Sequence, residues 1–125
     1  MVNKILLILL SSLLFGADDI IDDLTSKNYE EEIGQGIVVV EYWAGWNDKN
    51  IVTAVEKLKD VKVFRVNIDT NVDLQAKNGV IVVPTIIFYD DGKEYKRLQG
   101  DLSFTLKTTK KELQKIIDEI LMSKF

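Results

Sequence analysis

Cysteine and histidine are both absent from the 125 residues. Their absence excludes thiol nucleophiles, disulfides, Cys/His zinc sites and a histidine general base, leaving carboxylates, lysine, tyrosine and hydroxyls as candidate chemistry. Proline occurs once, as Pro84. An excess of positive charge is also lacking: 16 Lys+Arg stand against 20 Asp+Glu, for a net charge of −4. Without a basic stripe to neutralise phosphates, nucleic acid is not an expected partner. No repeat, low-complexity tract or linker divides the chain. What is present is a hydrophobic fraction of 46%, enough for one packed core without metal or disulfide staples.

Residues 1–17 have Lys4, then an apolar run from Ile5 to Phe15, then the small pair Gly16 and Ala17. That order of charge, apolar middle and small-residue exit is the pattern of a secretory signal peptide, and the run is too short to span a bilayer comfortably. Cleavage after Ala17 is expected, giving a mature domain of residues 18–125 that is periplasmic or secreted and has no membrane attachment.

The chain is organised around residues 37–50, IVVVEYWAGWNDKN. Four consecutive β-branched residues, then Glu41 and Tyr42, without polar alternation, suit a central strand covered on both faces. Trp43-Ala44-Gly45-Trp46 breaks the strand. Asn47 or Asp48 is placed to cap a helix over residues 50–58, with Ile51, Val55 and Leu58 on one stripe.

Elsewhere, residues 18–24 suit a short charged edge strand. A helix capped by Thr25 or Ser26 follows over 28–33, and its Glu30-Glu31-Glu32 cluster is a solvated face. Residues 62–68 alternate with period two, Phe64, Val66 and Ile68 forming the apolar face. A helix at 72–77 ends at Asn78-Gly79. Residues 85–89 and 93–98 form a hairpin about Asp91-Gly92, and residues 100–107 are a loop or short strand. Thr109 and Glu112 then have capping-box spacing before a helix striped by Leu113, Ile116, Ile117, Ile120 and Leu121.

The segment YWAGWNDKN resembles the active-site segment of the thioredoxin family, aromatic-W-A-x-W-C-x-x-C-K, with Trp43, Ala44 and Trp46 in register. Asn47 and Asn50 stand where that family has its two cysteines. The likeness continues through VNIDTNVDLQAKNGVIVVPTIIFYDDGK, including Val83-Pro84-Thr85, and covers about residues 24–121. It implies an α/β thioredoxin-like fold, a central mixed sheet flanked by helices in the order β-α-β-α-β-α-β-β-α.

The resemblance also places the candidate site. The family's first cysteine works as a thiolate stabilised at a helix N-terminus, and an amide cannot replace it. Asn47 is therefore expected as a helix cap and Asn50 as a filler of the first turn. Glu41 matches the family's buried acid and Arg65 a basic residue on the neighbouring strand. Without a thiol to serve, Glu41 is expected to pair with Arg65 or to reach an Asn amide. Pro84 matches the family's cis-proline. Trp46, Val83, Pro84, Thr85 and Gly100 are the implied peptide groove, with Trp46 either its aromatic wall or part of the core, and Trp43 a packing residue. No catalytic residue, metal or cofactor is expected. The function implied is a redox-inactive module that binds a protein or extended peptide, as a chaperone or assembly factor. The alternatives are a disulfide oxidoreductase relative that uses a partner's thiol, and a structural subunit of an envelope complex.

Overall fold

The computed structural model describes residues 21–125. The expected signal segment, and the start of the expected first strand, lie outside the described residues. In chain order the elements are β1 (Asp22–Asp23), α1 (Tyr29–Ile33), β2 (Ile37–Trp43), two 3-10 segments (Gly45–Asn50 and Thr53–Lys57), β3 (Lys62–Asn67), α2 (Val72–Lys77), β4 (Thr85–Asp90), β5 (Lys93–Gln99) and α3 (Lys110–Ser123).

The strands form one five-stranded sheet in the order β1-β3-β2-β4-β5. β1 and β2 run parallel to β3, while β4 is antiparallel to both β2 and β5. This is the mixed sheet that the resemblance implies. β2 occupies its centre because nearly every residue in it is apolar: Ile37 through Tyr42 are buried without alternation, as expected of a strand covered on both faces.

Successive β2 side chains point to opposite faces. Val38, Val40 and Tyr42 join Tyr29, Ile33, Leu74 and Tyr89 in the core under α1 and α2. Ile37 and Val39 join Val52, Val55, Ile86, Phe88 and the α3 stripe of Leu113, Ile116, Ile117 and Ile120 on the other face. Each such side chain contributes on the order of 1.5–3 kcal/mol of hydrophobic stabilisation before entropy is counted.

The first core has a polar seam. The Tyr42 and Tyr89 hydroxyls are 2.7 Å apart, and those of Tyr89 and Tyr29 both donate to Asn78 Oδ1 at 2.9 Å. Burial pushes both the Tyr42 and the Tyr89 hydroxyl well above the usual phenol range, so both remain neutral donors.

Two local expectations are corrected. The α-helix expected over 50–58 is replaced by the two 3-10 segments, with Ile51 and Val52 in extended conformation between them. The backbone groups that a continuous helix would use internally are used laterally: Val52 N–H donates to Glu41 Oε2 at 2.6 Å, and Val52 C=O accepts from Arg65 Nη2 at 3.2 Å. Weak helix formers at Asn50, Val52, Thr53 and Val55 offer little resistance. The capping box is only half made. Thr109 Oγ1 accepts from Glu112 N–H at 3.2 Å, but the Glu112 carboxylate takes the Thr108 hydroxyl.

Candidate functional site

The C-terminal end of β2 delivers the motif to the rim of the sheet. Ala44 is fully buried, and Gly45 N–H is held by Asp69 Oδ2 at 2.9 Å, which fixes the turn leaving the strand. Trp46 is 60% exposed, which sets aside the expectation that it is part of the core. Trp43 is half-buried, and its indole N–H is buried with no acceptor among the described residues.

Asn47 does not cap a helix. The residue preceding the first 3-10 segment is Ala44, which has no polar side chain to cap it, and the segment's first N–H, that of Gly45, is taken by Asp69. Asn47 is instead buried, and its amide bridges three parts of the chain. Its Nδ2 donates to Phe104 C=O at 3.0 Å and approaches Val83 C=O at 3.5 Å, while its Oδ1 accepts from Asn50 Nδ2 at 2.7 Å. Asn50 is therefore a hydrogen-bonding partner of Asn47 and more than a filler of the turn. A carboxamide has a donor and an acceptor on one planar group, and both ends are used here.

The Val83–Pro84 peptide bond is cis. Val83, Pro84 and Thr85 are all buried, and the Thr85 hydroxyl donates to Val82 C=O at 2.6 Å. Gly100 N–H donates to Pro84 C=O at 2.8 Å. A Cβ at residue 100 would lie 3.0 Å from Pro84 O and 3.1 Å from Thr105 O, so only glycine permits this approach without backbone movement. Among the described residues, Val83 N–H has no acceptor.

The resemblance did not single out residues 101–105, which complete the site. The Asp101 carboxylate accepts from Ser103 N–H, Thr105 N–H and the Thr105 hydroxyl, and Asp101 N–H donates to Thr105 C=O at 2.8 Å. Those bonds, led by the one from Thr105 N–H, hold the Asp101 carboxyl below its ordinary range. The loop so formed places Phe104 with φ 59°, its ring edge-on to Trp46 at a centroid distance of 5.1 Å. An isolated aromatic within a polar stretch, DLSFTLK, was the only sequence signal for it.

Glu41, on β2, is fully buried. Arg65 Nε donates to its Oε1 at 3.0 Å, and Arg65 Nη2 also reaches Glu56 Oε2 at 3.1 Å. Among the described residues neither Asn amide is a partner of Glu41; its second oxygen is taken by Val52 N–H. Burial raises the Glu41 pKa, more than the Val52 N–H and the Arg65 charge lower it. The carboxylate thus braces the two 3-10 segments against β3. Charge, donor and acceptor are all engaged within the fold.

A sequence model of the family described as thioredoxin matches residues 20–119. The chain belongs to the thioredoxin family. The thioredoxin of Staphylococcus haemolyticus is 29% identical over 84 residues, which are 62% of this chain and 81% of that protein. The thioredoxin of Rickettsia bellii is 31% identical over 81 residues, 58% of this chain and 77% of that one. Among solved structures, a mutant thioredoxin from Halobacterium salinarum superposes with a TM-score of 0.63 at 20% identity, covering 80% of this chain and 88% of that one. This chain is thus a thioredoxin-like protein without cysteine. At the family's two cysteine positions, an amide–amide hydrogen bond stands where the resemblance would put a dithiol.

Proposed function

We propose that this thioredoxin-like protein is a binding module that holds an extended segment of another protein against Trp46, Val83 and Pro84, in the periplasm or outside the cell. The observation that carries the reading is the Val83 N–H, which has no acceptor among the described residues, in a segment whose carbonyl the Asn47 amide approaches from the motif that carries the exposed Trp46. A backbone donor with no internal acceptor is a ready partner for an extended chain, and an exposed aromatic face supplies apolar contact. Thr85 and Gly100 support that edge from behind and from the side.

Dithiol–disulfide exchange does not run through Asn47 and Asn50, because an amide neither ionises to a nucleophilic thiolate nor forms a mixed disulfide. Both amides are instead occupied in holding the groove together. The location outside the cytoplasm rests on the pattern of residues 1–17.

The test places a photo-crosslinking amino acid at Ile81, which is 84% exposed and two residues from Val83, in the full chain expressed in its native cells. A recurrent protein adduct, lost when Trp46→Ala is added, is the expected result. Adducts indifferent to that substitution, or no adduct at all, would reject the groove. Purified protein that reduces insulin disulfides above the uncatalysed rate would reject the redox-inactive assignment, and recovery of the chain solely in the cytoplasmic fraction would reject the location.

A further inference from the structure

We infer that the segment this groove accepts is cationic, with a large aliphatic side chain that seats against the Trp46–Phe104 pair. The inference rests on the groove reading above and adds the chemistry of the occupant.

Two features define that chemistry. The first is an aromatic corner. Trp46 and Phe104 meet edge to face at 5.1 Å and 87°, so one ring face remains open while the other ring is braced edge-on. Trp46 is 60% and Phe104 42% exposed, and two exposed aliphatic side chains lie near in sequence, Leu102 in the loop that carries Phe104 and Ile81 two residues before Val83. Exposed large apolar side chains thus flank, in sequence and across the Asn47–Phe104 bond, a segment whose Val83 N–H has no acceptor among the described residues. An aliphatic side chain packs on such a surface without displacing any internal hydrogen bond.

The second feature is the charge around the corner. Asp48 follows Asn47 in the motif, Asp69 holds Gly45 N–H, and Asp101 opens the loop that presents Phe104; all three are exposed. Lys49 is the only cation within the motif itself. Three carboxylates against two ammonium groups, Lys49 in the motif and Lys107 whose charge acts on Asp101, still favour a cationic segment and disfavour an acidic one, and an ammonium or guanidinium also gains from the open indole face. Asn47 is the positioning residue here. Its amide ties Phe104 C=O to the motif, so the donor at position 47 adds to the Asp101 bonds that shape the loop in holding the aromatic corner together.

The experiment uses two synthetic nonapeptides with the same Val-Leu-Val centre, one flanked by lysines and the other by glutamates. Each is titrated into the full mature chain at low and at high salt, with binding followed by calorimetry and by tryptophan emission. The lysine peptide is expected to bind roughly five-fold tighter than the glutamate peptide, the effect of two solvent-screened ion pairs. The preference should shrink at about 0.5 M salt. It should fall when Asp48→Asn and Asp69→Asn are combined with Asp101 left in place, a pair of changes in which the new amide oxygen at position 69 still accepts from Gly45 N–H. Trp46→Ala should weaken both peptides. Equal binding of the two peptides, or a preference unchanged by the double substitution, overturns the cationic assignment and leaves the groove standing. Failure of both to bind at millimolar concentration, or binding unaffected by Trp46→Ala, overturns the groove reading and this inference with it.

Discussion

Replacing Asn47 tests whether the amide pair is structural. Asn47→Ala removes the acceptor of Asn50 Nδ2 at 2.7 Å and the donor to Phe104 C=O at 3.0 Å. The 3.5 Å approach to Val83 C=O adds little. Two partly buried hydrogen bonds at about 1 kcal/mol each give a loss of about 2 kcal/mol, since water reaches the exposed side of Phe104 and limits the penalty. In a domain of this size that lowers Tm by about 8 °C.

Asn47→Asp is the sharper case, because it is isosteric. Its Oδ1 still accepts from Asn50, but its second oxygen faces the Phe104 carbonyl as acceptor against acceptor, in a residue only 6% exposed. The expected cost at neutral pH is about 3 kcal/mol, more than for alanine. Burial and the facing carbonyl raise the folded-state pKa of that new carboxyl above its unfolded value of about 3.9. The penalty is therefore absent below about pH 4, where the protonated acid donates to Phe104 C=O, and grows as pH rises through the folded-state pKa. Urea unfolding at pH 4 and pH 7 measures both stabilities, and hydrogen exchange across residues 101–105 reports whether the loop has been released. An alanine variant within about 0.5 kcal/mol of the parent, or an aspartate variant at pH 7 more stable than the alanine one, would refute the bridging role.

The other predictions concern the supports of the site. Glu41 has a raised pKa in the fold, so its contribution is fully present below the unfolded value of 4.5 and is lost as pH rises through the folded value. Relative to Glu41→Gln, the parent should lose stability as pH increases above 4.5, as read by urea unfolding, and a pH-independent difference would contradict this. Tyr89→Phe strands the buried Tyr42 hydroxyl and should cost about 2 kcal/mol by the same measurement. Gly100→Ala forces a Cβ against Pro84 O and Thr105 O; it should cost about 2 kcal/mol and weaken peptide binding, and an unchanged Tm would show that the loop yields freely.

Much of this protein is determined by residue order alone. The uniformly apolar β2, the alternation in β3 and the stripe of α3 dictate which faces must be covered, because burial of apolar surface is proportional to area and indifferent to detail. The absence of cysteine likewise settles which chemistry positions 47 and 50 cannot perform. The segment after the motif reads as an α-helix and does not form one. Its apolar spacing fits a helix, and nothing in the local sequence reveals that Glu41 and Arg65, distant in the chain, claim the Val52 backbone.

The roles of Asn47 and Phe104 are equally hidden in the sequence. Their contact joins residues 57 apart in the chain, through a loop whose shape depends on Asp101 folding back on Thr105. Hydrophobic periodicity is a local property that a sequence displays directly. Hydrogen-bond partnership across a fold depends on orientation at the ångström scale, and only the packed tertiary structure decides it.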